Sequence, residues 1–157
     1  MPSSADSVPT TSEPVTFRAA TTSDAVVLTD LERDANLVAL AHVFPDTPYP
    51  ADKVRTRWER TLLDPEVRVE VCGPSARLDA YVCWDATTLR HLAVRPERWG
   101  HGLARQAIGR AAGVSRLWCL IENHRARGLY EHLGWHPTGR EQTAVWPPYP
   151  REMEYAR

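Results

Sequence analysis

Two short stretches of this chain carry residue types and spacings that could do chemistry. The first is Trp99-Gly100-His101-Gly102-Leu103-Ala104, a glycine turn between a strand-like run ending at Val94 and a helix-like run. Glycine lacks Cβ, so its backbone can approach an anion closely and can adopt positive φ. Free N–H groups at a helix start, with the helix dipole behind them, favour an anion by about 0.3–2 kcal/mol each. The second stretch runs from Asn123 to Tyr130. Asn at a strand-to-helix junction is a good N-cap, and two helical turns bring Tyr130 back to about the same face. Gly134 stands where a helix C′ residue belongs, and Trp135 would return to the core. Two strands, each feeding a helix N-terminus, suggest a seat for a phosphorylated carrier with a phenol nearby.

Other chemistries fit the letters poorly. A P-loop needs Gly-Lys-Ser/Thr, and Ala104-Arg105 stands there instead; a dinucleotide fingerprint needs a third glycine where Arg105 stands. Taken alone, the turn also fits a helix N-terminus with incidental glycines, and Tyr130 a half-buried aromatic with a satisfied hydroxyl. Cys72, Cys83 and Cys119 form no Cys-x-x-Cys pair and sit in apolar, strand-like runs, as buried thiols do. Cys119 has no base nearby in sequence to make it a nucleophile. His132 and His136 flank a helix-ending glycine, and His-Glu-x-x-His is absent, so no metal site is expected.

The surrounding pattern predicts the elements that position these residues. Val15 to Arg18 reads as a short strand. Ser23 could cap a helix whose apolar residues, Val27, Leu28, Leu31, Ala35, Val38 and Ala39, share one face. Pro45, Pro48 and Pro50 stop it, and a second helix is expected over Asp52 to Leu63, ended by Asp64-Pro65. Val67–Cys72, Leu78–Trp84 and Thr88–Val94 read as an antiparallel meander. After the two strand-helix units, Thr138–Trp146 and Arg151–Tyr155 read as strands. The order β-α-α-β-β-β-α-β-α-β-β predicts an α/β (α+β) fold, a mixed sheet with helices on both faces.

The chain has 157 residues, 43% hydrophobic and 25% charged, with a net charge of −1. That suits one domain over 15–157, preceded by a disordered Ser/Thr/Pro-rich tail over 1–14. A charge near zero gives no reason to expect nucleic acid or an acidic membrane surface as partner. No apolar run is long enough to span a bilayer. The first residues lack the charged start and apolar core of a signal peptide, so a cytoplasmic location is expected.

The stretch N123-H-R-A126-R-G-L-Y130-E-H-L-G134-W135 closely resembles the Asn-x-x-Ala-x-x-x-Tyr element of the GCN5-related N-acetyltransferases (GNAT). W99-G-H-G-L-A104 resembles that family's acetyl-CoA turn, usually Gln/Arg-x-x-Gly-x-Gly/Ala, with Trp99 in place of the usual first residue. The resemblance implies a GNAT-type, mostly antiparallel sheet flanked by helices. It also implies acetyl-CoA as co-substrate and direct transfer of the acetyl group to a primary amine in a ternary complex. In it, Leu92, Ala93 and Val94 would line the pantetheine arm, with the backbone of Leu92 and Val94 pairing with it. The turn Trp99, Gly100, His101, Gly102, Leu103 and Ala104 would hold the pyrophosphate, with Trp99 packing on the adenine or a neighbouring helix. Asn123, Ala126 and Tyr130 would complete the cofactor side. A backbone N–H near Leu92 could polarise the thioester carbonyl. Tyr130 would protonate the leaving thiolate, and Glu122 is the first choice of base for the amine.

The same resemblance places the acceptor under the segment between the first two helices. Phe44 and Tyr49 would be apolar walls and Asp46 an attractor for a cationic amine; Trp84 and Trp146 are further wall residues. Glu32, on the first helix, is a second choice of base on the same side. A small-molecule amine is the expected acceptor. The alternatives are a protein amine, or a non-catalytic acyl-CoA sensor that binds without transfer. Copies often pair in this family, so the resemblance also allows a homodimer.

Overall fold

A computed structural model describes residues 15–157; the expected tail over 1–14 lies outside the described residues. The strands are β1 (Arg18–Ala19), β2 (Arg68–Cys72), β3 (Ala80–Trp84), β4 (Thr88–Val94), β5 (Arg116–Leu120), β6 (His136–Thr143) and β7 (Arg151–Ala156). The helices are α1 (Ala25–Ala39), α2 (Ala51–Leu63), α3 (Leu103–Arg110) and α4 (His124–His132). One sheet runs β1-β2-β3-β4-β5-β7-β6. Every neighbouring pair is antiparallel except β4 and β5. This is the expected element order and fold class.

Side-chain alternation divides the core between the two faces of the sheet. Tyr81 and Cys83 of β3 pack with Leu28, Leu31, Val54 and Trp58 of α1 and α2. Val82 and Trp84 point the other way, among Ala107 and Ile108 of α3 and Tyr130 of α4. All of β3 is buried, as an unbroken apolar run in a central strand requires.

The edges differ from expectation in three places. α1 is entered through a 3-10 turn, Thr22–Asp24, rather than capped by Ser23. Asp24 accepts from the Thr21 N–H at 2.8 Å and from both ends of the Arg18 guanidinium at 2.9 Å. Those charge-assisted bonds outweigh a lone serine cap, and Arg18 holds the Asp24 carboxyl below its usual range. β1 is correspondingly short and starts at Arg18. β6 ends at Thr143: the Ala144 N–H still reaches the Pro150 carbonyl at 2.8 Å, but Pro150 has no N–H to carry the ladder further, so Trp146 lies beyond the strand.

One irregularity shapes everything downstream. His91 opposes Cys83, yet Leu89, two residues earlier, opposes Trp84, one residue later. Arg90 is therefore the extra residue of a β-bulge, which bends a strand and shifts its facing. Leu89 joins the α3 and α4 side, while His91 meets the Trp58 ring of α2 at 5.7 Å. Among the described residues, no helix is long and apolar enough to cross a membrane.

Candidate active site

β4 and β5 pair through only two residue pairs, Thr88↔Arg116 and Leu89↔Leu117. Past the bulge they separate, while β5 stays paired with β7 along its full length. The backbone of Leu92 and Val94 therefore faces a gap. That gap opens into a cavity of about 420 Å3.

The glycine turn forms one end of the cavity. Gly100 and Gly102 have φ of 81° and 77°, a left-handed conformation that side-chain-bearing residues resist by about 1–2 kcal/mol. Gly102 is the N-cap of α3, so the free N–H groups of that helix start face the cleft. Leu92, Ala93, Val94, Trp99, Gly100, Gly102, Leu103, Ala104, Asn123, Ala126 and Tyr130 all line the cavity. Of the expected cofactor residues, only His101 does not.

Trp99 packs on a neighbouring helix, as one of its two expected roles required. The Arg125 guanidinium of α4 sits 3.8 Å from the Trp99 ring centre. The indole N–H donates to the Val94 carbonyl at 2.8 Å, so one lone pair of a carbonyl expected to meet the pantetheine arm is already engaged. The opposite wall is α4. Asn123 caps it by accepting from the Ala126 N–H at 3.2 Å. Tyr155 of β7 anchors its other side, donating to Glu131 at 2.7 Å and accepting from Arg127 at 3.1 Å. Gly134 ends the helix with φ 89°, and Trp135 is buried. Tyr130 is thus held at the cleft, packed edge-on to Trp135 at 6.3 Å. Burial, and then Cys119 beside it, hold its phenol well above the ordinary value, so it remains protonated at neutral pH.

Four further polar residues line the cavity without any motif to announce them. Arg98, Arg105 and Arg125 come from the turn, α3 and α4, and Asn36 from α1. The Arg98 Nε is buried with no hydrogen-bond partner among the described residues. The Asp79 carboxylate lies 4.0 Å from that Nε. Three guanidinium groups around a left-handed glycine turn make a donor set for phosphates. The one available sequence signal was the clustering of arginines around the turn.

The family model described as "Acetyltransferase (GNAT) family" matches residues 74–135, the span that holds both motifs. Over that span the chain is similar to the GNAT acetyltransferases. The solved structures it resembles include an acetyltransferase from Thermus thermophilus, at 22% identity and TM-score 0.65, covering 91% of this chain and 97% of that one. The apo form of YjaB from Escherichia coli superposes at 15% identity and TM-score 0.71, with 91% and 97% covered. A PaiA N-acetyltransferase from Thermoplasma acidophilum in complex with coenzyme A gives 13% identity and TM-score 0.65, with 92% and 99% covered. No curated protein matches the chain. GNAT enzymes use acetyl-CoA as co-substrate.

A second cavity, about 400 Å3, lies under the segment joining α1 and α2. Phe44, Tyr49, Trp146 and Glu32 all line it, as expected. Asn36 lines both cavities. The buried Glu32 carboxylate accepts from the Trp58 indole at 2.8 Å and from Arg57, so it is a paired group rather than a free base. The Tyr49 hydroxyl is buried with no hydrogen-bond partner among the described residues, and burial pushes its pKa up.

Two expected wall residues are corrected. Trp84 faces the opposite side of the sheet, in the α3 and α4 core, because strand parity sends it there. Asp46 is exposed and does not line the cavity. Glu122, the first choice of base, is exposed and lines neither cavity; it sits beside the cap residue Asn123, with its carboxylate 3.3 Å from the His124 Nε2. Cys119 is buried, with its thiol pushed up to about 12 by burial, which leaves it protonated and unsuited to nucleophilic attack.

Proposed function

We propose that this chain transfers an acetyl group from acetyl-CoA to the primary amine of a small molecule with an apolar body. One observation carries the proposal: the left-handed glycine turn and the Tyr130 phenol line the same cleft, between strands that separate at a bulge. The turn amides and Arg98, Arg105 and Arg125 hold the phosphates. The open backbone of Leu92 and Val94 takes the pantetheine arm like an added strand, and brings the thioester sulfur toward Tyr130.

A protonated amine cannot attack a carbonyl. An alkylamine of pKa ~10.4 is neutral to roughly one part in a few thousand at pH 7. Glu122, next in the chain to the cleft residue Asn123, accepts the amine proton through water. A backbone N–H near Leu92 stabilises charge growing on the carbonyl oxygen. Tyr130 returns a proton to the leaving thiolate, and its buried phenol is in the protonated form that this requires. A typical thiol has a pKa of ~8.5, below that of the phenol, so proton return succeeds only where the site favours the neutral thiol.

The acceptor enters from the second cavity. Its walls, Phe44, Leu40, Tyr49 and Trp146, are apolar, and Asn36 stands between acceptor and donor. About 400 Å3 of largely apolar space suits a small amine better than a peptide. Thiol release measured over a panel of alkyl, aryl and peptide amines tests the proposal. Acceptor-dependent release that collapses in Tyr130→Phe supports it; acetyl-CoA binding with no turnover on any amine points to a sensor instead.

A further inference from the structure

Outside both cavities, three donors from distant parts of the chain converge. His42, just past α1, points its Nε2 at the main-chain oxygen of Glu122, 2.7 Å away. His124, the first residue of α4, points its own Nε2 at the Glu122 carboxylate, 3.3 Å away. The two imidazoles stack with centroids 5.8 Å apart and planes 14° from parallel. One donor atom from each of the three residues lies within 4.8 Å of the others, and all three residues are exposed.

We infer that His42, Glu122 and His124 form a binding site for one zinc-type divalent cation, which ties the α1–α2 segment to the start of α4. Two imidazole nitrogens and a carboxylate oxygen are a donor set that zinc favours, with water free to fill the fourth position. Bonds of about 2.0–2.2 Å in a tetrahedron put neighbouring ligand atoms roughly 3.3 Å apart. The His124–Glu122 distance already has that value. The His42 Nε2 needs to swing from the main-chain oxygen toward the carboxylate, and both neutral imidazoles must carry their proton on Nδ1 instead of Nε2, tautomer changes with no net proton loss. Ion and ligands change no oxidation state. Thiols do not compete: Cys72, Cys83 and Cys119 are buried, and burial pushes them to about 11, 12 and 12.

The site is separate from the transfer chemistry but shares one residue with it. A carboxylate committed to zinc no longer accepts a proton, so zinc inhibits transfer; this consequence rests on Glu122 being the base in the function proposed above. The test titrates the metal-free full chain with zinc chloride by calorimetry, without coenzyme. One saturable site is expected. His42→Ala and His124→Ala, each checked for folding by circular dichroism, weaken it by about tenfold or more, while His132→Ala, elsewhere on α4, leaves it unchanged. No saturable binding, or wild-type affinity in either histidine variant, overturns the site. Zinc-saturated protein is then expected to lose about tenfold or more of its transfer rate, and undiminished turnover overturns the inhibition. Acetyl-CoA binding by the metal-free chain is measured separately, so failure of the functional proposal is distinguishable from failure of the zinc site.

Discussion

The Arg125 guanidinium lies 3.8 Å above the Trp99 ring and joins the glycine turn to the first turn of α4. The same indole donates to Val94 at the end of β4. One side chain thus links three of the elements that enclose the coenzyme cleft. A cation over an indole contributes about 0.5–2 kcal/mol. Trp99→Leu, which loses both contacts, is expected to weaken acetyl-CoA binding several-fold by calorimetry. The maximal rate at saturating coenzyme should stay within about twofold, because the reacting atoms are not touched.

Tyr130→Phe should keep the fold, because the ring packing against Trp135 and Tyr155 is retained. Loss of the acid should lower kcat by about a hundredfold or more with little change in acetyl-CoA affinity. A stopped assay of thiol release alongside calorimetry separates the two. A variant that turns over at the wild-type rate would remove Tyr130 from the reaction.

Gly102→Ala places a methyl-bearing residue at φ 77°. The strain, about 1–2 kcal/mol, should lower Tm by a few degrees and weaken acetyl-CoA binding, since the turn must relax away from its N–H-presenting shape. Open space around Gly100 leaves conformation, not collision, as the cost of the same change there.

The acceptor cavity makes two opposite predictions. Phe44→Ala and Trp146→Ala should each raise KM for the amine by about tenfold without changing acetyl-CoA affinity. Tyr49→Phe removes a buried hydroxyl that has no partner among the described residues, so thermal stability should hold or rise. Clear destabilisation in a melting experiment would mean that this hydroxyl is hydrogen-bonded after all.

His91 gives stability a pH dependence. Burial, then Arg57 and Arg90, push its imidazole down to about 3. Between about pH 6.5 and 3 the unfolded chain therefore binds a proton here that the folded chain refuses. Stability falls as pH drops through that window and is unaffected by this group above it. His91→Gln should flatten the acid limb of denaturant-measured stability between those values; an unchanged slope would assign the limb to carboxylates such as Asp24.

Strand and helix order, the glycine turn and the Asn123–Tyr130 helix were legible in the sequence because each depends on neighbours close along the chain. Hydrophobic periodicity, proline stops and a cap are local physics. The motif residues and, through the family resemblance, Leu92 to Val94 were expected in the cleft and line it, apart from His101, whereas Asn36, Arg98, Arg105 and Arg125 were not foreseen. Trp84 was misplaced because a strand inside an unbroken apolar run shows no parity in its letters. Nothing in the run Thr88–Val94 announces the bulge at Arg90 that parts β4 from β5.

Sequence alone thus determined which residues could bind a phosphorylated carrier and which phenol could serve it, since both motifs are set by short-range backbone geometry. Only the tertiary structure decided that Asn36 stands between two cavities, that Asp46 and Trp84 face elsewhere, and that His42 meets Glu122 and His124 across eighty positions of chain. Such meetings depend on how helices settle on opposite faces of a bent sheet, and packing of that kind leaves no spacing to read.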